Sequence, residues 1–254
     1  MRIRVCLKIA ALVLGLLGFA RPQPSHAQTT HSCELELILA VDVSGSINRD
    51  EYRLQMLGLS DAFRSSDIVH LIASTSRKGG VYVTVVQWSG QPHQSQIVPW
   101  AKLDDEASVL KFADAIDASP RMFLNYSTAI GDALTFARAL FSIRPNKCRR
   151  RVIDVSGDGP NNEGSAVNNI RARLIHEQVT INGLVVLGDE PTLGAYYRQN
   201  IIGGNGAFVI TADTFKDYPD AIRRKLLREI APPITFFFPQ GPTNLALVQP
   251  DARR

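Results

Sequence analysis

Asp42, Ser44 and Ser46 fall within Asp42-Val43-Ser44-Gly45-Ser46, so one carboxylate and two hydroxyls lie within five residues. Gly45 permits a tight turn between the two serines. Hard oxygen donors of this kind suit Mg²⁺, which takes oxygen ligands in an octahedron at about 2.0–2.1 Å. Two later stretches offer more donors of the same type. Asn125–Asp132 reads NYSTAIGD and carries Thr128, and Val155–Asn162 reads VSGDGPNN and carries Asp158.

These residues need elements to bring them together. Glu34–Ile47 starts as an alternating pattern, becomes an apolar run over Leu37–Val41, and breaks at Asp42. A strand buried on both faces of a parallel sheet has this pattern. Its break places Asp42, Ser44 and Ser46 just past the carboxyl end, where open α/β sheets carry their ligand sites. Arg151–Val155 reads as a second central strand that breaks at Ser156-Gly157-Asp158-Gly159. If the two strands are neighbours where strand order reverses, the three donor loops meet in one crevice.

The remaining chain alternates strand and helix signals. Asn48 with Glu51 three residues on forms a capping-box start for a helix to about Phe63. Val81–Trp88 is β-branched and aromatic, the turn Ser89-Gly90-Gln91-Pro92 follows, and Ser95–Trp100 returns as a hairpin strand. Helices are expected over Asp105–Ala118, Thr128–Phe141, Val167–Glu177, Thr192–Asn200 and Asp217–Ile230. Strands are expected over Thr180–Leu187 and Ala207–Thr211. The class is therefore α/β: a doubly wound, mainly parallel sheet with one antiparallel edge strand and helices on both faces.

With its motifs and order of elements, the chain resembles a von Willebrand factor type A domain over about residues 33 to 231. The resemblance rests on Asp42-Val43-Ser44-Gly45-Ser46, on Thr128 within Thr-Ala-Ile-Gly, and on Asp158 within Ser-Gly-Asp-Gly. It implies a Rossmann-like fold with a metal-ion-dependent adhesion site. There Ser44, Ser46 and Thr128 would give hydroxyls to Mg²⁺ (or Mn²⁺ or Ca²⁺), and Asp42 and Asp158 would bind more weakly or through water. It further implies a non-enzymatic binding module, whose protein or peptide ligand completes the metal's shell with an acidic group. The third segment departs from the commoner Thr-Asp-Gly form, and its Asn161 and Asn162 are candidates for the rim. That variant, together with the leader described below, most resembles exported bacterial proteins of this fold with no assigned function.

Competing chemistry has less support. His31, His70, His93 and His176 show no zinc spacing to one another or to Cys. Ser44 lies outside a Gly-x-Ser-x-Gly elbow. Gly203-Gly204-Asn205-Gly206 lacks the Lys and Ser/Thr of a phosphate loop. A metal-dependent hydrolase, phosphoesterase-like, is the alternative in the same crevice, with Asp42 as nucleophile or Asp158 as base. It needs another charged group close by, for which Asp132 and Glu163 are the candidates.

The ends of the chain carry different signals. Arg2, Arg4 and Lys8 precede an apolar segment over Ile9–Ala20, and Ser25-His26-Ala27 offers a cleavage site. Residues 1–27 therefore read as a signal peptide, with an apolar segment shorter than the roughly 20 residues a membrane span needs. The expected destination is the periplasm or the exterior of a bacterial cell, with no membrane span after cleavage. The leader holds four of the chain's 28 basic residues and no acidic one, leaving 24 of each sign. A formal charge of zero gives little footing for nucleic-acid binding. With Cys6 removed, Cys33 and Cys148 remain, and a lone pair in an oxidising compartment suggests a disulfide. The domain is expected over 28–231. The tail over 232–254 is Pro-rich, with an apolar cluster at Ile234–Phe238 and the composition of partial disorder.

Overall fold

The computed structural model describes residues 31–124, 126–144 and 148–231. The expected signal peptide and C-terminal tail lie outside these residues. Six strands form one sheet in the order β3-β2-β1-β4-β5-β6. They are β1 (Leu35–Asp42), β2 (Val81–Trp88), β3 (Gln94–Leu103), β4 (Arg150–Gly157), β5 (Val179–Val186) and β6 (Val209–Ala212). All neighbours pair in parallel except β2 and β3, whose hairpin supplies the antiparallel edge.

Every residue of β1 is buried, as its near-continuous apolar sequence requires. Leu35, Leu37, Leu39 and Val41 join one core, and Ile38 and Ala40 join the other. The first core receives α1 (Arg49–Arg64), α2 (Ser66–Ser74), α3 (Glu106–Asp117) and α7 (Tyr218–Ile230). The second receives α4 (Ile130–Ser142), α5 (Val167–His176) and α6 (Leu193–Tyr196), which runs into a π-turn over Tyr197–Ile201. The doubly wound class is thus present as expected.

Local signals explain most boundaries. Asn48 accepts from the backbone N–H groups of Asp50 and Glu51, while Glu51 accepts from the Asn48 N–H, completing the capping box. Two differences from the sequence reading stand out. Helix α2 was not anticipated; it buries Ile68, Val69 and Ile72, a stripe too short to register as periodic. Thr128 precedes its helix, because α4 begins at Ile130.

Cys33 and Cys148 form a disulfide with Cα atoms 4.4 Å apart. Cys33 precedes β1 and Cys148 precedes β4, which are neighbours with Leu35 opposite Arg150. The bridge therefore staples two adjacent strands at the end of the sheet opposite Asp42 and Asp158.

Candidate functional site

Strand order reverses between β1 and β4, because β1 leads to β2 on one side and β4 leads to β5 on the other. The loops beyond these two strands are where a doubly wound sheet opens a crevice. The Asp42 carboxylate is fully buried, and its Oδ1 accepts from the Ser44 N–H at 2.7 Å. The hydroxyls of Ser44 and Ser46 lie 3.3 Å apart, and Ser46 donates to Asp158 Oδ1 at 2.8 Å. Thr128 is buried, and its Oγ1 would lie 3.9 Å from a Cβ at Gly159. The structure thus gathers Asp42, Ser44, Ser46, Thr128 and Asp158 into one cluster from three loops.

The neighbouring backbone is tightly held. The Gly45 N–H donates to the Tyr126 carbonyl at 2.8 Å, and the Ala129 N–H donates to the Ser89 carbonyl at 3.1 Å. A Cβ at Gly157 would come within 2.9 Å of Asp42 Oδ2 and 2.7 Å of the Tyr197 hydroxyl. Only glycine fits there without displacing one of them.

The electrostatics mark this cluster as strained. Asp42 Oδ2 is buried with no hydrogen-bond partner. Burial, reinforced by the nearby charge of Asp158, pushes the Asp42 pKa up to about 8. Burial also raises Asp158, while the hydrogen bond from Ser46 acts against that rise. The phenol of buried Tyr197, facing both carboxylates, is held protonated well beyond the ordinary range. Two carboxylates sharing a buried crevice with three hydroxyls have the chemistry of a hard-cation site, since a divalent ion would offset both charges. Among the described residues, no three His, Cys, Asp or Glu side chains converge to hold a metal ion. The candidate donors are instead two carboxylates and three hydroxyls, hard oxygen groups of the kind that bind divalent cations.

Other named residues fall around the rim. Asn161 and Asn162 turn their side-chain oxygens toward the Thr128 loop, accepting from the N–H groups of Gly131 at 3.1 Å and Thr128 at 2.8 Å. Asp132 accepts from the Ser165 N–H at 2.7 Å and from its hydroxyl at 3.1 Å. Glu163 accepts from the Gln91 N–H at 3.1 Å. Both acidic side chains are thus engaged in holding loops.

Sequence reasoning missed Arg121. Its guanidinium donates to the carbonyls of Val43 and Ser44 at 2.9 and 3.0 Å, bracing the first donor loop, and lies over the Tyr52 ring. It follows a Ser-Pro break rather than a motif, and only its position before the Thr128 segment could have drawn notice.

This architecture is that of a von Willebrand factor type A domain. The chain belongs to the family described as "Protein of unknown function (DUF1194)", which matches residues 32–234. No curated protein matches it. Among solved structures, it resembles proximal thread matrix protein 1 from the mussel byssus with a zinc-occupied MIDAS motif, at 20% identity and TM-score 0.54. That match covers 78% of this chain and 46% of the mussel protein, so the chain spans about half its relative's length. The von Willebrand domain of the type V pili tip protein Mfa5 from Porphyromonas gingivalis matches at 11% identity and TM-score 0.53, covering 80% of this chain and 98% of that one. The pilus adhesin SpaC from Lactobacillus rhamnosus GG matches at 14% and 0.56, covering 78% and 30% respectively. At these identities the likeness is one of fold.

Proposed function

We propose that this protein is an exported binding module that engages a protein or peptide ligand through a divalent cation. Asp42, Ser44, Ser46, Thr128 and Asp158 would hold the ion. The observation that carries this reading is the buried, unpartnered Asp42 Oδ2 close to Asp158, with the linked hydroxyls of Ser44 and Ser46 on the same loop and Thr128 against neighbouring Gly159. Such an arrangement costs stability unless a cation offsets the charge. A bound Mg²⁺ or Mn²⁺ would supply a Lewis-acidic position to which an acidic ligand group could add. The zinc-occupied motif of the mussel protein lends support, as do pilus proteins of the same fold.

The hydrolase alternative has less support, because the charged groups it would draw on, Asp132 and Glu163, are engaged in holding loops. Export is supported by the leader-like residues 1–27 and by the Cys33–Cys148 disulfide, a bond that persists in oxidising compartments. Among the described residues, no helix is long and apolar enough to cross a membrane.

The test is affinity capture from bacterial envelope extract on the immobilised wild type and Asp42→Ala proteins. The reading expects partners retained in Mg²⁺, released by EDTA and missing from the variant column. Identical retention on both columns, indifferent to EDTA, would defeat it.

A further inference from the structure

Asn161 and Asn162 follow Asp158 in the stretch Asp158-Gly159-Pro160-Asn161-Asn162. Their side-chain oxygens accept hydrogen bonds from the neighbouring segment that carries Thr128. The Thr128 N–H donates to Asn162 Oδ1 at 2.8 Å, and the Asn162 N–H donates back to the Thr128 carbonyl at 3.0 Å. This two-way pair fixes both backbone polar groups of Thr128. One residue earlier, Asn161 Oδ1 accepts the Gly131 N–H at 3.1 Å, satisfying a first-turn donor of α4. That helix has no side-chain cap from Ala129 at its own N-cap, so the cap comes from the Asp158 loop instead. Asn161 is itself held, since its N–H donates to the Tyr196 hydroxyl at 3.2 Å and its Nδ2 to the Glu163 carbonyl at 3.1 Å.

We infer that Asn162, supported by Asn161, is a positioning residue that sets where the Thr128 hydroxyl stands relative to Asp158. The inference rests on the proposed cation site. Thr128 sits ahead of α4, in a loop that the helix's own hydrogen bonds do not fix. Ser89 holds the flanking Ser127 and Ala129, while the backbone groups of Thr128 itself are held from across the crevice by the loop that carries Asp158. The two donors on separate loops are thereby clasped together, and the ion meets a hydroxyl already in place. A hydroxyl held in advance does not have to be ordered when the ion binds, and preorganisation of this kind raises affinity by cutting that cost.

The clasp also reaches a third loop. Glu163 accepts from the Gln91 N–H, and Asp132 accepts from Gln91 Nε2 at 3.4 Å and from Ser165. Gly164 makes this possible, for it stands at φ 72° where a Cβ would collide with Asp132 Oδ2.

Two readings test the proposal on the full chain. Amide hydrogen exchange in EDTA should show Thr128 and Gly131 protected in the wild type, with Thr128 losing protection in Asn162→Ala. Calorimetric titration with Mn²⁺ should show Asn162→Ala weakened about three- to tenfold, the loss expected from one net hydrogen bond. Asn162→Asp keeps the acceptor and should restore Thr128 protection. In a Thr128→Ala background, Asn162→Ala should cost no further Mn²⁺ affinity, because it acts through that hydroxyl. The proposal is overturned if Asn162→Ala binds Mn²⁺ as the wild type does, or if its loss adds in full to that of Thr128→Ala. A wild type that binds no Mn²⁺ would remove the cation site itself, and the inference with it.

Discussion

Asp42 sits at the centre of the site's energetics. Its folded-state pKa of about 8 stands above the ordinary 3.8 because burial and Asp158 both oppose its charge. The native state therefore holds this proton more tightly than the unfolded chain at pH values between those two. Metal-free protein should lose stability as pH rises through that window. A cation reverses the trend by competing with the proton, so apparent Mg²⁺ affinity should climb with pH and level off near 8. Asp42→Asn removes the titrating group, and melting curves in EDTA from pH 5 to 8 should be flatter for the variant than for the wild type. Parallel slopes for the two proteins would mean that Asp42 is not the group that titrates. The three segments that meet at this crevice could be read from sequence because residue type and order alone pick them out. Arg121 and the Asn162 clasp could not, since each acts through backbone partners tens of residues away.

At the scale of elements, β1 and the capping box of α1 were legible because both are local patterns. The buried ion network joining β4 and α7 was not. Lys225 of α7 is fully buried with its Nζ 2.5 Å from Asp154 of β4 and 2.6 Å from Glu229. Asn182 of β5 donates to Glu229 at 2.9 Å, which draws a third element into the same network. In sequence these residues look like the polar side of an amphipathic helix and one acid within a strand. Burial and the charge of Glu229 raise the Asp154 pKa, against the pull of Lys225. Lys225→Met would leave two buried carboxylates without their cation and should destabilise the fold by about 3–5 kcal/mol. Urea unfolding measures this, and a loss below about 1 kcal/mol would show that the network contributes little. Helix α2 escaped notice for a related reason, as it buries one short stripe and its N-cap, Ser65, makes no side-chain cap bond.

Across the whole molecule the two ends of the sheet divide their work. The donor loops lie past the carboxyl ends of β1 and β4, and the Cys33–Cys148 bridge ties the same strands at their amino ends. The bridge spans 115 residues of chain, for which loop-closure entropy gives about 4–5 kcal/mol, with engineered cases often lower. Reduction should therefore lower the urea midpoint markedly while leaving the cation affinity of the folded protein unchanged. Superimposable unfolding curves with and without reductant would contradict the first expectation. The pairing was legible because, with Cys6 in the expected leader, Cys33 and Cys148 are the lone pair of cysteines left in the rest of the chain.

The most direct measurement is calorimetric titration of Mg²⁺ and Mn²⁺ into the metal-free full chain. The same titration is run on the triple variant Ser44→Ala, Thr128→Ala, Asp158→Ala, with far-UV circular dichroism to confirm that both proteins are folded. The wild type should give a saturable one-site isotherm and the folded variant a flat one. A flat wild-type isotherm, or a variant that binds as the wild type does, would contradict the proposed cation site.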